Sequence, residues 1–289
     1  MPIRIYKKTS AGRRNASVNM HAEVTKKAPE RSLLRPLPKK GGRNNTGIIM
    51  SRGRGGGAKR QYRMIDFRRR DRDGITGTVI GVEYDPNRSA HIALVEYKDG
   101  EKRYIIAPAG IKVGQTIECS RTGAVEPTPG NAMLLRYIPS GLNVHCVELV
   151  PGRGAQICRS AGMYARLSNK EDHYVTLVMP SGEIRKVHAD CLATIGEVGN
   201  PDHINRDLGK AGLSRHLGRR PITRGMAKSH HAHPLGGGSG RSKGNRAPCG
   251  PSGVPAKGGY TRDPQKSTNK LILRRRASKR YGRQALRTK

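Results

Sequence analysis

Positive charge is crowded into the two ends of this 289-residue chain and is missing from its middle. Residues 1–72 carry 21 Lys and Arg against 4 Asp and Glu, and residues 201–289 carry 22 against 3. Residues 73–200 are near neutral, with 13 basic and 14 acidic side chains. Val, Ile and Leu run the other way: 31 of them fall in the middle segment, against 10 and 11 in the ends. A segment with high charge and few apolar residues cannot offset its ordering entropy by burial. The ends are therefore expected to be mobile alone in water, and only the middle to build a core. Ten Tyr, one Phe, no Trp and 37 Gly argue further against a single large globule.

A net charge of +35 needs a polyanion to neutralise it, and nucleic acid is the densest common one. Of the 56 basic residues 36 are Arg, the side chain suited to phosphate forks and base stacking, whereas a merely solubilising surface has no reason to prefer it over Lys. No run approaches the ~18 apolar residues of a membrane span, and no basic amphipathic helix is evident. A membrane partner is not expected. The five cysteines, Cys119, Cys146, Cys158, Cys191 and Cys249, are odd in number and contain no CxxC pair. That pattern suits a reducing compartment, the cytoplasm or an organelle matrix, rather than a disulfide framework or a zinc ribbon. MPIRIYKKTSAGRR lacks the apolar stretch of a secretory signal, and its basic, Ser-containing character leaves a transit peptide open.

Along the chain four parts are expected: a basic extension over 1–72, small barrels over 73–125 and 126–200, and a second basic extension over 201–289. Residues 1–72 combine breakers (KKAPERSLLRPLPKKGGRNN), a Gly/Arg tract (SRGRGGGAKR) and a closing cluster of arginines. The tract lacks the Gly-Lys-Ser/Thr ending of a P-loop. From Gly74 short apolar runs recur every eight to twelve residues, the pattern of small all-β barrels. Strands are expected at 75–83, 91–97, 102–107 and 115–119, then at 144–150, 163–168, 173–179 and 183–188. Asp99-Gly100 predicts a tight type I′ hairpin, and Pro180-Ser181-Gly182 another turn. Val175, Leu177 and Met179 share one face of their strand. The Pro-rich EPTPGN at 126–131 separates the two barrels, of OB and SH3-like type. After Asn200 the chain holds 14 Gly and 7 Pro in 89 residues, so helices beyond one or two turns are not expected. LILRRRASKR at 271–280 reads as an apolar anchor followed by a phosphate-binding run.

Several stretches resemble, in order, the family of the universal second protein of the large ribosomal subunit, in its bacterial or organellar form. They include EYDPNRSAHIALVEYKDGEKRYIIAP (83–108), GNAMLLRYIPSGLNVHCVELVPGRGAQICRSAG (130–162), GKAGLSRHLGRRP (209–221) and HPLGGGSGR (233–241), and the likeness covers nearly the whole chain. It implies an OB-like barrel followed by an SH3-like barrel, with irregular basic extensions running into RNA. The partners implied are large-subunit rRNA, small-subunit rRNA at the subunit interface and neighbouring ribosomal proteins. The roles implied are assembly, subunit association, tRNA binding and support of the peptidyl-transferase region, with no catalysis and no cofactor. Two departures stand out. Ala232 and Leu235 flank His233-Pro234 where the family usually has an acid and a His, and His216 stands where a Trp is usual.

Arg88 in the loop DPNRS and Arg159 in CRSAG each match a family Arg, and each would present a guanidinium to RNA from a fixed scaffold. Arg68, Arg69 and Arg70, Arg219 and Arg220, and Arg274, Arg275 and Arg276 are expected as phosphate contacts. Arg103, Arg153, Lys210, Arg215, Arg224, His233 and Arg241 complete the expected rRNA-binding set. Two rival chemistries fit the residues less well. His230, His231 and His233 with Cys249 suggest zinc, but HHxH in a Pro/Gly loop without a second nearby Cys makes a poor four-ligand set. His233 as a general base would need an orienting partner, and the position before it holds Ala232. A chromatin-type compactor would have repetitive Lys-rich tails, whereas these are non-repetitive and Arg-rich.

Overall fold

The apolar runs become strands wherever alternate residues can be buried on a pleated surface. The computed structural model describes residues 3–240, 246–256, 262–278 and 282–283. Near the start β1 (Ile3–Ile5) pairs antiparallel with β2 (Ser17–Asn19), and β3 (Leu34–Pro36) with β4 (Gln61–Arg63). A four-stranded antiparallel sheet follows, built from β5 (Gly77–Glu83), β6 (Ile92–Tyr97), β7 (Lys102–Ile106) and β8 (Thr116–Ile117) in the order β7-β6-β5-β8. A bulge between Val79 and Gly81 interrupts the β5–β6 register. It resets the alternation, so Val79 and Val82 enter the same core while Ile80 joins the opposite face.

Strand β6 is buried on both faces. Ala93 and Val95 join Val79, Val82, Ile105 and Ile117, while Ile92 and Leu94 pack with Tyr104, Leu33, Ile65 and Ile80. Leu33 and Ile65 come from the basic first 72 residues, so that region contributes a covering layer as well as charge. Beneath the layer, Tyr104 Oη donates to the buried Glu83 carboxylate at 2.7 Å and accepts the Glu30 N–H at 2.7 Å.

The β6–β7 hairpin forms as expected, but its turn is not type I′. Among the turn residues only Gly100 has a positive φ, +81°. Its N–H bonds the Tyr97 carbonyl at 2.8 Å, and the Tyr97 N–H bonds Glu101 at 2.9 Å. A type I turn with Gly100 in the left-handed position needs a single positive φ, and so spares Asp99 the cost that type I′ would impose. The Met179–Glu183 turn repeats the pattern with Gly182.

The second sheet has eight strands in the order β16-β14-β13-β12-β11-β15-β10-β9, all antiparallel except β9–β10. They are β9 (Cys119–Ser120), β10 (Ala132–Leu134), β11 (Asn143–His145), β12 (Ala165–Lys170), β13 (Tyr174–Val178), β14 (Ile184–His188), β15 (Leu192–Ile195) and β16 (Ile272–Arg274). Their core holds Met133, Leu135, Ile138, Val144, Leu167, Val175, Leu177 and Val187. β11 ends earlier than the apolar run predicts because Cys146 takes a left-handed φ of +49° and leaves the strand. β10 and β15, too short to show a period, were not foreseen. β16 comes from the far C-terminal stretch: Ile272 is buried beside Arg185 of β14, which makes it the apolar anchor expected there. The architecture is all-β, an OB-like barrel followed by an SH3-like barrel.

The chain gathers into two compact units. One comprises Met1–Leu37, Lys59–Lys210 and Ser267–Arg287, and contains both sheets. The other comprises Pro38–Ala58 and Ala211–Lys266. In this second unit the two segments pair: the N–H groups of Gly55 and Ala58 donate to Gly218 and His216, and that of Arg220 donates to Gly53. The helix α1 (Ala211–His216) is the only α-helix among the described residues, short as the Gly and Pro content predicts.

Candidate nucleic-acid interface

An arginine whose N–H groups are all taken up within the protein has none left for RNA. Arg103 donates to Asp66 at 2.7 Å and, through Nε, to Glu101 at 2.8 Å, and it also grips Asp71. This ion pairing holds the Asp71 carboxyl down at about 2 and raises the guanidinium's own affinity for its proton. Asp66 also sits below its ordinary value: burial opposes this, but the Arg69 and Arg68 N–H groups and Arg103 outweigh it. Arg72 is buried over the Tyr97 ring and paired with Asp99 and Glu101. Arg69 is buried as well, donating to the Gly130 carbonyl at 3.1 Å.

A different arrangement surrounds Phe67, the only Phe in the chain. The Arg159 guanidinium carbon lies 4.8 Å and that of Arg88 5.8 Å from the Phe67 ring centroid, both within cation–π range. Arg88 Nε donates at 2.7 Å to Asp85, a fully buried carboxylate that also accepts the Asn87 N–H. Arg159 donates to the Ala155 carbonyl at 3.2 Å, and Ala155 N–H returns to the Phe67 carbonyl at 2.8 Å. The two loops are tied by the Ala161 N–H to Ser89 Oγ. Residues from three distant stretches thus bring two guanidinium groups to one aromatic ring.

Arg68 and Arg153 complete the cluster. The PGRG loop that exposes Arg153 is shaped by Glu148, a fully buried carboxylate accepting the N–H groups of Gly152 (3.1 Å), Gly154 (2.8 Å) and Leu192 (3.0 Å). A Cβ on Gly154 would lie 3.0 Å from Arg68 Cγ and 3.2 Å from the Phe67 carbonyl, so glycine lets the loop close on this edge. Arg68, Arg70 and Arg153 are exposed. Sequence reasoning missed Phe67, Asp85 and Glu148. A lone Phe among arginines was the available signal for the first; buried carboxylates gave none.

The remaining expected residues lie elsewhere. Lys210, Arg274 and Arg276 are exposed and Arg275 half-buried in the first unit. Arg215, Arg219, Arg220 and Arg224 are exposed in the second. His233 is buried, its ring filling the space over Gly225, and Nδ1 accepts the Leu235 N–H at 3.1 Å. Arg241 lies outside the described residues.

Groups that could carry other chemistry are turned away from it. Burial pushes the thiols of Cys146 and Cys191 up to about 12 and of Cys158 to about 11, so neutral pH leaves them protonated and weakly nucleophilic. Burial also drives His145 down to about 4, while its ring nitrogen bonds the Gly196 carbonyl. Among the described residues no three His, Cys, Asp or Glu side chains are grouped to hold a metal, and no helix is long and apolar enough to cross a membrane.

Comparison with known proteins agrees with a basic, RNA-facing β protein. Residues 30–119 match the family described as Ribosomal Proteins L2, RNA binding N-terminal domain, and residues 128–253 match Ribosomal Proteins L2, C-terminal domain. The chain is also similar to the large ribosomal subunit protein uL2 of Rhodopirellula baltica, with 56% identity over 283 residues and 98% of each chain covered.

Proposed function

The chain belongs to the ribosomal protein L2 family, and on that premise we propose that it is a structural, non-catalytic constituent of the large ribosomal subunit that binds large-subunit rRNA directly. The observation carrying this reading is the Phe67 platform, where Arg88 and Arg159 are held in fixed directions while Arg68 and Arg153 stand exposed beside them. Fixed guanidinium groups give position-dependent contacts, and exposed, mobile ones add charge neutralisation. The barrels at 73–125 and 126–200 then choose the RNA site, and the extensions at 1–72 and 201–289 follow the phosphate backbone. In the assembled particle the protein sits among neighbouring ribosomal proteins, contacts small-subunit rRNA at the subunit interface, and supports assembly, tRNA binding and the peptidyl-transferase region.

Two measurements test this. Full-length R88A/R159A should lose about tenfold or more of its preference for its own large-subunit rRNA over random RNA, roughly 1.4 kcal/mol; an unchanged preference would remove the platform from the binding site. His233→Ala in fully assembled subunits should slow peptide transfer by less than tenfold. General acid–base catalysis contributes about 10²- to 10⁴-fold, so a loss of that size in complete particles would restore an enzymatic role.

A further inference from the structure

Three segments far apart in sequence meet at one histidine, His91, which is buried immediately before β6. Its Nδ1 lies 3.1 Å from Glu23 Oε2 and its Nε2 lies 3.0 Å from His21 Nδ1, so residues of the N-terminal stretch engage both ring nitrogens. The His21 ring also meets Tyr84 edge-on, 4.8 Å between centroids. From the third segment Gly199 leaves room for the carboxylate, since a Cβ there would come within 3.4 Å of Glu23 Oε2.

The same stretch is tied down on either side of this chain of hydrogen bonds. Asn19 Nδ2 donates to Asn200 Oδ1 at 2.6 Å, and Asn200 Nδ2 donates to the Ser89 carbonyl at 2.8 Å. The Thr25 and Lys26 N–H groups both donate to the Val82 carbonyl of β5 at 3.0 Å, and Thr25 Oγ1 accepts the Val82 N–H at 2.9 Å. Residues 17–26 are thereby strapped to the first barrel, with the two histidines between the ties.

Proton counting shows what such a chain can do. Facing a carboxylate, His91 Nδ1 carries a proton and donates it, which leaves Nε2 of the neutral ring an acceptor and makes His21 Nδ1 the donor between the rings. One added proton can sit on His21 Nε2, outside the chain. Both hydrogen bonds then survive, with a single cation near the Glu23 carboxylate. A second added proton places N–H groups on both sides of the 3.0 Å gap, where neither nitrogen can accept. It also sets two imidazolium ions against each other, with Arg206 and His203 acting on them from the third segment. Burial, and then the charges of His91, Arg206 and His203, hold His21 below its ordinary value. Glu23 is held below its own, chiefly by the His91 hydrogen bond, so it stays ionised.

We propose that the Glu23–His91–His21 chain is an acid-operated latch, which fastens residues 17–26 to the first barrel while the two imidazoles share at most one added proton and releases them when a second arrives. A free histidine titrates near 6.5. A closed state that refuses one proton which the open state accepts becomes about tenfold easier to open between pH 7.5 and 5.5. The latch is therefore at full strength above pH 6.5 and weakens as the pH falls below it.

Amide hydrogen exchange on the full chain at pH 7.5 and 5.5, with labelling times scaled for the intrinsic effect of pH, reads this directly. Peptides covering 17–26 should lose about tenfold of their protection at pH 5.5 and fall below those of β6 and β13. His21→Asn suits the positive φ of +50° at this position and keeps an amide where Nδ1 lies, so it should hold the change in 17–26 under about threefold. Glu23→Gln keeps an acceptor for His91 but removes the charge that steadies the first proton, so release should begin at a pH higher by roughly half a unit or more. His203→Gln should leave the response in place.

Unchanged wild-type protection of 17–26 at pH 5.5, or a full response in His21→Asn, would overturn the latch. So would equal protection of 17–26, β6 and β13 at pH 5.5, which would mean that the whole fold opens at once. An unshifted release in Glu23→Gln, or a response abolished by His203→Gln, would place the titration outside the chain and reject it as well.

Discussion

The two compact units treat arginine in opposite ways. In the unit that holds both barrels, Arg72, Arg88 and Arg103 each meet at least one carboxylate, among Asp66, Asp71, Asp85, Asp99 and Glu101. In the other, residues 38–58 and 211–266 hold 16 Lys and Arg against a single acidic side chain, Asp263. A carboxylate can fix the direction of a guanidinium, as Asp85 does for Arg88, or engage several of its N–H groups, as Asp66, Asp71 and Glu101 do for Arg103. Arg103 and Arg220 were both expected as rRNA contacts, yet Arg103 is held by three carboxylates while Arg220 is exposed in the other unit.

That contrast breaks first at Glu148. Glu148→Ala leaves three backbone N–H groups in the barrel unit without their acceptor, and should destabilise the protein by about 3–5 kcal/mol in urea unfolding. A cost below ~1 kcal/mol would mean that the buried acids are not structural.

Next comes acid. His145 has its folded value lowered to about 4 by burial, so between pH 6.5 and 4 the unfolded chain takes up a proton that the folded chain refuses. Stability is then complete above pH 6.5 and falls as the pH drops toward 4, by on the order of 2–3 kcal/mol. His145→Gln should flatten the decline in that window. An unchanged pH profile in the variant would show that another group carries it.

A smaller effect separates the two kinds of arginine directly. Arg103→Ala should lower stability by about 1–3 kcal/mol because Asp66, half-buried, loses its partner. R219A/R220A should change stability by less than ~0.5 kcal/mol and instead reduce the salt slope of RNA binding by about 1.4. Equal melting shifts for the two variants would erase the distinction.

The finest prediction concerns Phe67. Phe67→Leu keeps apolar bulk but removes the ring beneath Arg88 and Arg159, so affinity for rRNA should fall by about fivefold, near 1 kcal/mol. The salt slope should stay constant, because no charge is lost. A reduced slope would mean that the arginines had moved out of contact altogether.

The long strands were readable because alternation is local: Val175, Leu177 and Met179 were assigned to one face from their own neighbours, and all three pack in or against the core. Short β10 and β15 were not, since three or four residues carry no period. Asp99-Gly100 announced a hairpin, but the turn type depended on which residue accepted the positive φ. The expected RNA-binding arginines were named as a class, yet Arg69 turned out to be buried against Gly130, and nothing in a run of three arginines separates it from exposed Arg68 and Arg70.

Composition and periodicity determined by themselves that the middle of this chain would be β barrels and that its ends would carry dense positive charge, most of it on arginine. These follow from sums and spacings along one strand of sequence. Only tertiary structure decided which cations remain available, because a carboxylate neutralises a guanidinium through space and not through sequence. It brought Arg88 and Arg159 to the ring of Phe67, and joined residues 39–56 to 220–221 around one cavity. Such contacts form across gaps of tens to more than a hundred residues, where no local pattern records them.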